Sequence, residues 1–344
     1  MSIQLTPRQS EILTRVVEEY VASGQPVGSR TLVERAAMHV SPSTVRADLA
    51  ELETLGLLTH PHTSAGRVPT EQGYRFYADS LLAHTEPRPG AFPLDLTGVR
   101  AEIEGALQAT TEMLSQVTRL LALVSAPAME TTTVRHVEVL LLQPQVVMVV
   151  VITSTGGVAK RSFVFETPVD PGLVDWAAEY LNERVAGVRI GTRTINQRFA
   201  DPGLGHRERD FLTVLRPAFT DLLASGEQRV FVGGAATLLD EAQGHELAAA
   251  RRLLAAVERR AALLELLGAA LGPRRSFVRV GDELGSEALR DVSLVGATYG
   301  LTNRPLGAVS LLGPLRMDYD KAIRSVRAAA TELSRFVEEV YEDN

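Results

Sequence analysis

The sequence is poor in several residue types that carry chemistry. It has no cysteine, its only lysines are Lys160 and Lys321, and aromatic residues make up 5% of the 344 positions. The absence of cysteine excludes disulfides, thiolate nucleophiles, Cys-type zinc sites and iron–sulfur clusters. Neither lysine lies in a Gly-Lys-Ser/Thr or Ser-x-x-Lys pattern, and the Gly-x-Ser-x-Gly pattern is absent. We therefore predict no catalytic site and no cofactor.

Long hydrophobic runs and a strong positive charge are also missing. The longest apolar run, residues 146–152, is too short to cross a bilayer, and the start MSIQLTPRQSE lacks the basic and apolar regions of a secretory signal. We expect a cytoplasmic protein without membrane contact.

The net charge is −7, and residues 1–85 hold seven arginines, no lysine and nine acids. This balance does not favour a polyanion partner, although a local cluster of donors is enough for phosphate contact.

The first part of the chain carries the pattern of a winged helix-turn-helix. Thr6 followed by Pro7 predicts a capped first helix, and a second helix is predicted near residues 29–37. Ser41 caps a third helix in the segment SPSTVRADLAELETLGLL. The letters LLTH, PHTSA and GRVPT then predict two short strands joined by a polar turn, and a fourth helix follows. Three short helices and a hairpin in this order are typical of a winged helix-turn-helix.

The third predicted helix suits DNA at its first turn. Val45, Leu49 and Leu52 form one stripe, so this face is expected to pack on the first two helices. The first turn then faces solvent, where its unsatisfied amides attract phosphate and its short hydroxyls and arginine suit a major groove. We predict DNA contacts from this turn, the second helix and the wing: Ser29, Arg30, Ser41, Ser43, Thr44, Arg46, Thr63, Ser64 and Arg67.

The remaining chain predicts one sheet interrupted by an insertion. A long helix is predicted near residues 99–124, three strands lie within 134–166, and three more strands and a last helix follow residue 273. The fold class is multidomain α+β, with a GAF-like antiparallel α/β domain interrupted by an inserted α/β domain. The predicted parts are the winged helix-turn-helix domain at 1–83, a proline-containing linker at 84–98, the GAF-like domain at 99–170 plus 273–344, and the inserted domain at 171–272.

Three features have a second interpretation. His60 and His62 share a strand face, as metal ligands would, but the pattern supplies no third ligand, and we predict polar hairpin residues and no metal site. The helix at 99–124 either packs on its own sheet, which we favour, or forms a coiled coil in a dimer. The segment GPLRMDYDKA is either a ligand-contacting loop or a strand-to-helix junction with an N-cap aspartate. Its candidate residues are Arg316, Asp318 and Tyr319.

Several ordered motifs of the sequence resemble the HrcA family, the heat-inducible transcription repressors of bacteria. They are VVEEYVASGQPVGSRTL, SPSTVRADLAELETLGLL, HTSAGRVPTEQGYRFYAD at residues 62–79, VGDE at 280–283 and GPLRMDY at 313–319. The resemblance covers essentially the whole chain. Ala47 stands where the family commonly has asparagine, so no base contact is implied at that position.

The resemblance implies a function as well as a fold. It implies a homodimer that binds an inverted-repeat operator of the CIRCE type in double-stranded DNA and represses chaperone operons. It also implies that the inserted α/β domain is the dimerising domain. It also implies that the GroE chaperonin acts as a modulator, because heat draws the chaperonin to unfolded clients and repression then lapses. The alternative is a metabolite-responsive winged-helix repressor that senses a small ligand through its GAF-like domain.

Overall fold

The fold is mixed α/β and begins with a winged-helix unit. The computed structural model describes residues 4–35, 40–61, 66–84, 103–127, 133–154, 157–190, 193–199, 201, 203–224, 230–241, 245–258, 276–301 and 304–342. Three structural units follow from the packing: a head (4–84), an insertion (133–224), and a body formed by the described residues of 103–127 and 230–342. Within the described residues, no helix is both long and apolar enough to span a membrane.

The head contains helices α1 (Pro7–Ser23), α2 (Ser29–Arg35), α3 (Pro42–Thr54) and α4 (Glu71–His84). The predicted capping of α1 is confirmed, because the Thr6 hydroxyl accepts from the Gln9 amide and the Gln9 side chain accepts from the Thr6 amide. Apolar residues on one face of α1 pack with the predicted stripe of α3: Ile12, Leu13, Val16, Val17, Val45, Leu49 and Leu52. These buried contacts fix the direction of α3.

The wing is a small antiparallel pair, β1 (Leu58–Thr59) and β2 (Val68–Pro69). An additional bridge between Val27 and Arg67 joins the wing to the chain before α2. Gly66 is required there, because a Cβ at this position would meet the backbone of Val27 at 2.5–2.6 Å. The wing is therefore anchored at its base to the segment between α1 and α2.

The body contains a five-stranded sheet in the order β7-β3-β10-β9-β8. Its strands are β3 (Leu121–Ser125), β7 (Val230–Gly233), β8 (Ser276–Val280), β9 (Val292–Leu301) and β10 (Arg304–Pro314), and every pairing is antiparallel. Helices α5 (Ile103–Thr118) and α12 (Tyr319–Glu342) cover one face. Helices α10 (Ala235–Glu241) and α11 (His245–Glu258) lie toward the other face, where Leu238 and Leu253 join a separate core.

The insertion has its own sheet and core. Strands β4 (Val134–Gln143), β5 (Val146–Thr153) and β6 (Val158–Val164) form a three-stranded antiparallel sheet. Helices α6 (Pro171–Val185), α7 (Arg193–Phe199), α8 (His206–Leu215) and α9 (Pro217–Ala224) complete the unit. Valines at alternate positions of β4 and β5 pack with α6 and α9 in a core that is separate from the body.

The sheet topology differs from the prediction. The three strands within 134–166 were predicted to belong to the sheet of the body, but they form the sheet of the insertion. Residues 229–234 were predicted to lie in the inserted domain, but β7 pairs with β3 of the body. Local patterns identify strands, whereas the choice of partner depends on contacts between distant parts of the chain, which explains both errors.

The long helix predicted at 99–124 also differs from the structure. Helix α5 ends at Thr118, Arg119 adopts a left-handed φ of 59°, and Leu121 begins β3. A short apolar run such as LALVS fits a buried strand as well as a helix, so its spacing did not reveal the change. Within its described range, α5 packs against the sheet and α12, as favoured over the coiled coil. The predicted linker at 84–98 lies outside the described residues beyond His84.

Candidate nucleic-acid interface

The first turn of α3 faces solvent, as predicted. Ser41 caps the helix by accepting from the Thr44 amide at 3.2 Å, and its hydroxyl also bonds the hydroxyls of Ser43 (2.7 Å) and Thr44 (2.9 Å). Ser41, Ser43 and Arg46 are exposed and Thr44 is half-buried. The turn therefore presents hydroxyls, one guanidinium and the amino end of a helix on a single surface, a combination that binds phosphate oxygens and base edges.

An ion pair that the sequence analysis missed holds α3 against α1. Arg8 donates from Nε to one Asp48 oxygen at 2.8 Å and from Nη2 to the other at 3.1 Å. Asp48 is only 4% exposed. The hydrogen bond and the charge of Asp48 raise the pKa of Arg8. The available sequence signal was an aspartate beside the buried stripe of α3, where a carboxylate needs a partner.

Arg67 lies at the base of the wing in a second ion pair. Its Nη2 lies 2.8 Å from Glu53 near the end of α3, and the other Glu53 oxygen contacts Nδ1 of His60. The Arg67 side chain is 25% exposed. The structure thus uses Arg67 to connect the wing with α3, and its predicted contact with DNA remains a prediction.

Of the other predicted DNA-contacting residues, the structure describes two, which lie in α2. Ser29 is half-buried and Arg30 is exposed in the first turn of α2, beside α3. Thr63 and Ser64 fall outside the described residues, as does His62. His60 contacts a carboxylate, and the described residues contain no group of three or more side chains suited to a metal ion.

The GPLRMDY loop forms a structural junction. Asp318 accepts from the Lys321 amide at 2.9 Å and thus caps α12, as one of the two interpretations predicted. Tyr319 is buried, donates to the Leu315 carbonyl at 2.9 Å and shares a 2.6 Å hydrogen bond with Ser293. Arg316 lies against Gly24 of the head. Two of these residues, Arg316 and Tyr319, therefore lie where the body meets the head.

Comparisons with known proteins place this geometry in a family. The profile described as "Winged helix-turn-helix transcription repressor, HrcA DNA-binding" matches residues 4–80, and the profile "HrcA protein C terminal domain" matches residues 104–323. The chain belongs to the HrcA family. A Parafrankia protein named heat-inducible transcription repressor HrcA is 37% identical over 332 residues, which cover 95% of this chain and 97% of that protein.

A second relative agrees with the assignment, and one solved structure shares the fold. A Nocardioides protein of the same name is 38% identical over 354 residues, covering 96% of this chain and 98% of that protein. A crystal structure titled as a hypothetical protein is 24% identical, has a TM-score of 0.65 and covers 98% of this chain and 100% of that chain, which shows a shared fold. The chain is thus a heat-inducible transcription repressor of the HrcA family, and α1–α4 with the wing form its DNA-binding domain.

Proposed function

We propose that the repressor binds an inverted-repeat operator of the CIRCE type as a two-fold dimer and blocks transcription of chaperone operons. The exposed first turn of α3, with its underside fixed on α1, is the observation that carries the proposal. Two such turns related by a two-fold axis match the symmetry of an inverted repeat in successive major grooves. The relatives' name favours this heat response over the alternative of a metabolite-responsive repressor.

Within each half-site, the first turn of α3 supplies two kinds of contact. The hydroxyls of Ser43 and Thr44 and the helix amides suit phosphate and base-edge oxygens, while Arg46 suits the acceptor pair of a guanine. Few cations lie on the head, so the salt dependence of binding should be shallow. Specificity then depends mainly on Arg46 and its neighbours.

The open face of the insertion sheet supports dimerisation through the insertion. Leu140, Val158 and Val164 are 42%, 64% and 79% exposed on this face, which β5 continues with Met148 and Val150. Val158 and Val164 lie at the two ends of β6, with Lys160 and Ser162 between them, so the face is partly apolar and partly polar, as protein contact surfaces commonly are. We propose that this face packs against the same face of a second copy, which forms a two-fold dimer. We assign the insertion as the dimerising domain and the body as the GAF-like domain.

We attribute the heat response to marginal stability: a cytoplasmic, multidomain protein can lose its active fold on warming without a ligand switch. A chaperonin of the GroE type, which the family resemblance implies, would then modulate repression by supporting the active fold. A gel shift of purified protein with operator DNA, with and without cell metabolites, separates this mechanism from the alternative. Release of the operator DNA when metabolites are added at constant temperature would favour the alternative.

Footprinting on genomic DNA tests the function directly, and Arg46→Ala tests the site. We expect protection of an inverted repeat ahead of chaperone genes. Arg46→Ala should cost on the order of 1–3 kcal/mol of specific binding with little change on random DNA. Arg15→Ala removes an exposed arginine of α1 that pairs with Glu18 at 3.1 Å, and serves as the control. Equal losses on specific and random DNA would instead make Arg46 a phosphate contact.

A further inference from the structure

The body contains a cavity at one end of its five-stranded sheet, here called the body cavity. It lies where the turn between α5 and β3, the start of α12 and side chains of α10 and α11 meet, and its volume is about 210 Å³. Pockets for drug-sized ligands measure roughly 300–1,000 Å³. The body cavity therefore fits a smaller molecule.

The walls of the body cavity are largely apolar. Leu238 of α10, Leu253 of α11 and Val292 of β9 line it, and all three are buried in the separate core on this side of the sheet. Met317, which is also buried, lines it from the loop before α12. The apolar part of a ligand would gain free energy here by leaving water.

Three cationic side chains line the same cavity: Arg119, Arg316 and Lys321. Arg119 and Lys321 are exposed and Arg316 is half-buried, so the charges lie toward solvent while the apolar walls lie inside. The described lining residues include one carboxylate, Asp318, which accepts from the Lys321 amide at 2.9 Å and so faces the start of α12. Positive charge is in excess at this opening, although the chain carries a net charge of −7. The opening therefore attracts small anions.

Arg119 occupies a backbone position that favours glycine. It directly follows α5 with a φ of 59°, and its amide donates to the Ser115 carbonyl at 2.8 Å. It is the only residue other than glycine with a positive φ in the described part of the chain. Glycine is the usual residue here because a Cβ is unfavourable in the left-handed region. Such unfavourable conformations cluster at functional sites, and this one places a guanidinium at the body cavity.

The loop that carries Arg316 is held in place on both sides. The Leu315 amide donates to the Asp291 carbonyl at 3.2 Å, and the Tyr319 hydroxyl binds the Leu315 carbonyl and Ser293. A loop that is already fixed loses little conformational freedom when a ligand binds. The arginine side of the body cavity is thus formed before any ligand arrives.

We infer that the body cavity binds a small carboxylate with an apolar body, such as an arylacetate or a branched alkyl acid. The carboxylate accepts from the guanidinium groups of Arg119 and Arg316, whose forked donors match its two oxygens, with Lys321 beside them. The apolar part packs on Leu253 and Met317. Binding stabilises the folded body by mass action and requires no effect on the operator.

Fluorine NMR of 4-fluorophenylacetate with the full-length protein at neutral pH tests the site. The probe signal should broaden, and an excess of phenylacetate or 4-methylvalerate should reverse the broadening. Phenylacetamide, which lacks the charge, and acetate, which lacks the apolar body, should not reverse it. Absence of binding by both 4-fluorophenylacetate and 4-methylvalerate would overturn the inference.

Two variants locate the probe at the cations. Arg119→Gly and Lys321→Gln should each weaken binding by about 2–5-fold, and together by about 4–25-fold, as expected for exposed ion pairs. Arg119→Gly should also raise the melting temperature, because glycine suits the left-handed backbone, so binding and stability change in opposite directions. Arg335→Gln removes another exposed cation of α12, which pairs with Glu332, and should leave binding unchanged. A double variant that binds as tightly as the wild type would overturn the inference.

A third variant tests whether the ligand lies inside the cavity. Ala250 of α11 is buried and lines it, so Ala250→Leu fills part of the space and should abolish binding of 4-fluorophenylacetate. Unchanged binding in a folded Ala250→Leu protein would contradict the assignment, and if this variant does not fold, the cation variants decide. These measurements contain no DNA. A protein that ignores the inverted repeat would refute the proposed function and leave the outcome here unaffected.

Discussion

Asp48 shows how one buried carboxylate determines the position of α3, the helix proposed to contact DNA. It lies on the underside of α3 and is held at both oxygens by Arg8 of α1. A carboxylate removed from water needs such partners, and loss of one partner leaves a buried charge unpaired. The pair therefore positions the first turn of α3 without touching the DNA surface itself.

Arg8→Ala should consequently affect both stability and operator recognition. The melting temperature should fall, and operator affinity should fall more than affinity for random DNA, because the direction of α3 is less well fixed. Arg8→Lys keeps the charge but loses the two-pronged geometry, so its effect should be intermediate. The double change Arg8→Ala with Asp48→Ala should be milder than Arg8→Ala alone, since no buried charge remains. The coupling would be contradicted if the double variant lost as much free energy of unfolding as Arg8→Ala and Asp48→Ala lose in sum.

At the scale of the element, α4 and the first turn of α12 make the molecule sensitive to alkaline pH. Burial raises the pKa of Tyr319, and burial together with the charges of Glu18, Asp318 and Asp320 raises the pKa of Tyr77. The folded state thus holds these two protons more tightly than the unfolded state does. The stabilisation is complete below the unfolded pKa of about 10 and is lost as pH rises through the folded values.

We therefore expect the free energy of unfolding to fall above about pH 10, by about 1.4 kcal/mol per pH unit for each tyrosine. Denaturant titrations at a series of pH values measure the slope. The variant Tyr77→Phe with Tyr319→Phe should reduce the slope, whatever its effect at neutral pH. Tyr20→Phe, which changes a half-buried tyrosine of α1, serves as the comparison. An unchanged slope in the double variant would show that other groups dominate.

The open face of the insertion sheet gives a second prediction at this scale. Val164→Glu places a charge on a side chain that is 79% exposed at the face proposed for dimerisation. Sedimentation velocity should show a shift toward monomer, and affinity for the full repeat should approach that for a half-site. Val214→Glu alters an apolar residue of α8 that is 42% exposed and should leave the dimer intact. A dimer unaffected by Val164→Glu would place the interface elsewhere.

At the scale of the whole molecule, the sequence predicted the head far better than the body. The cap at Thr6, the stripe of Val45, Leu49 and Leu52, and the exposed turn after Ser41 all follow from spacing within one or two helices. Arg8 and Asp48 could not be paired in this way, because 40 positions separate them. The division of strands between two sheets likewise depends on contacts that no local pattern contains.

The pairing of β3 with β7 has a consequence for how such repressors can change over time. Ser125 lies opposite Val230, so the chain leaves the body and returns to it at neighbouring positions on one edge of the sheet. A segment whose two ends are adjacent, as those of the chain between β3 and β7 are, can be lengthened, shortened or exchanged while the strands around it stay paired. Under the assignment proposed above, subunit pairing and operator choice lie on separate parts of the chain, and a lineage can revise either one without rebuilding the other.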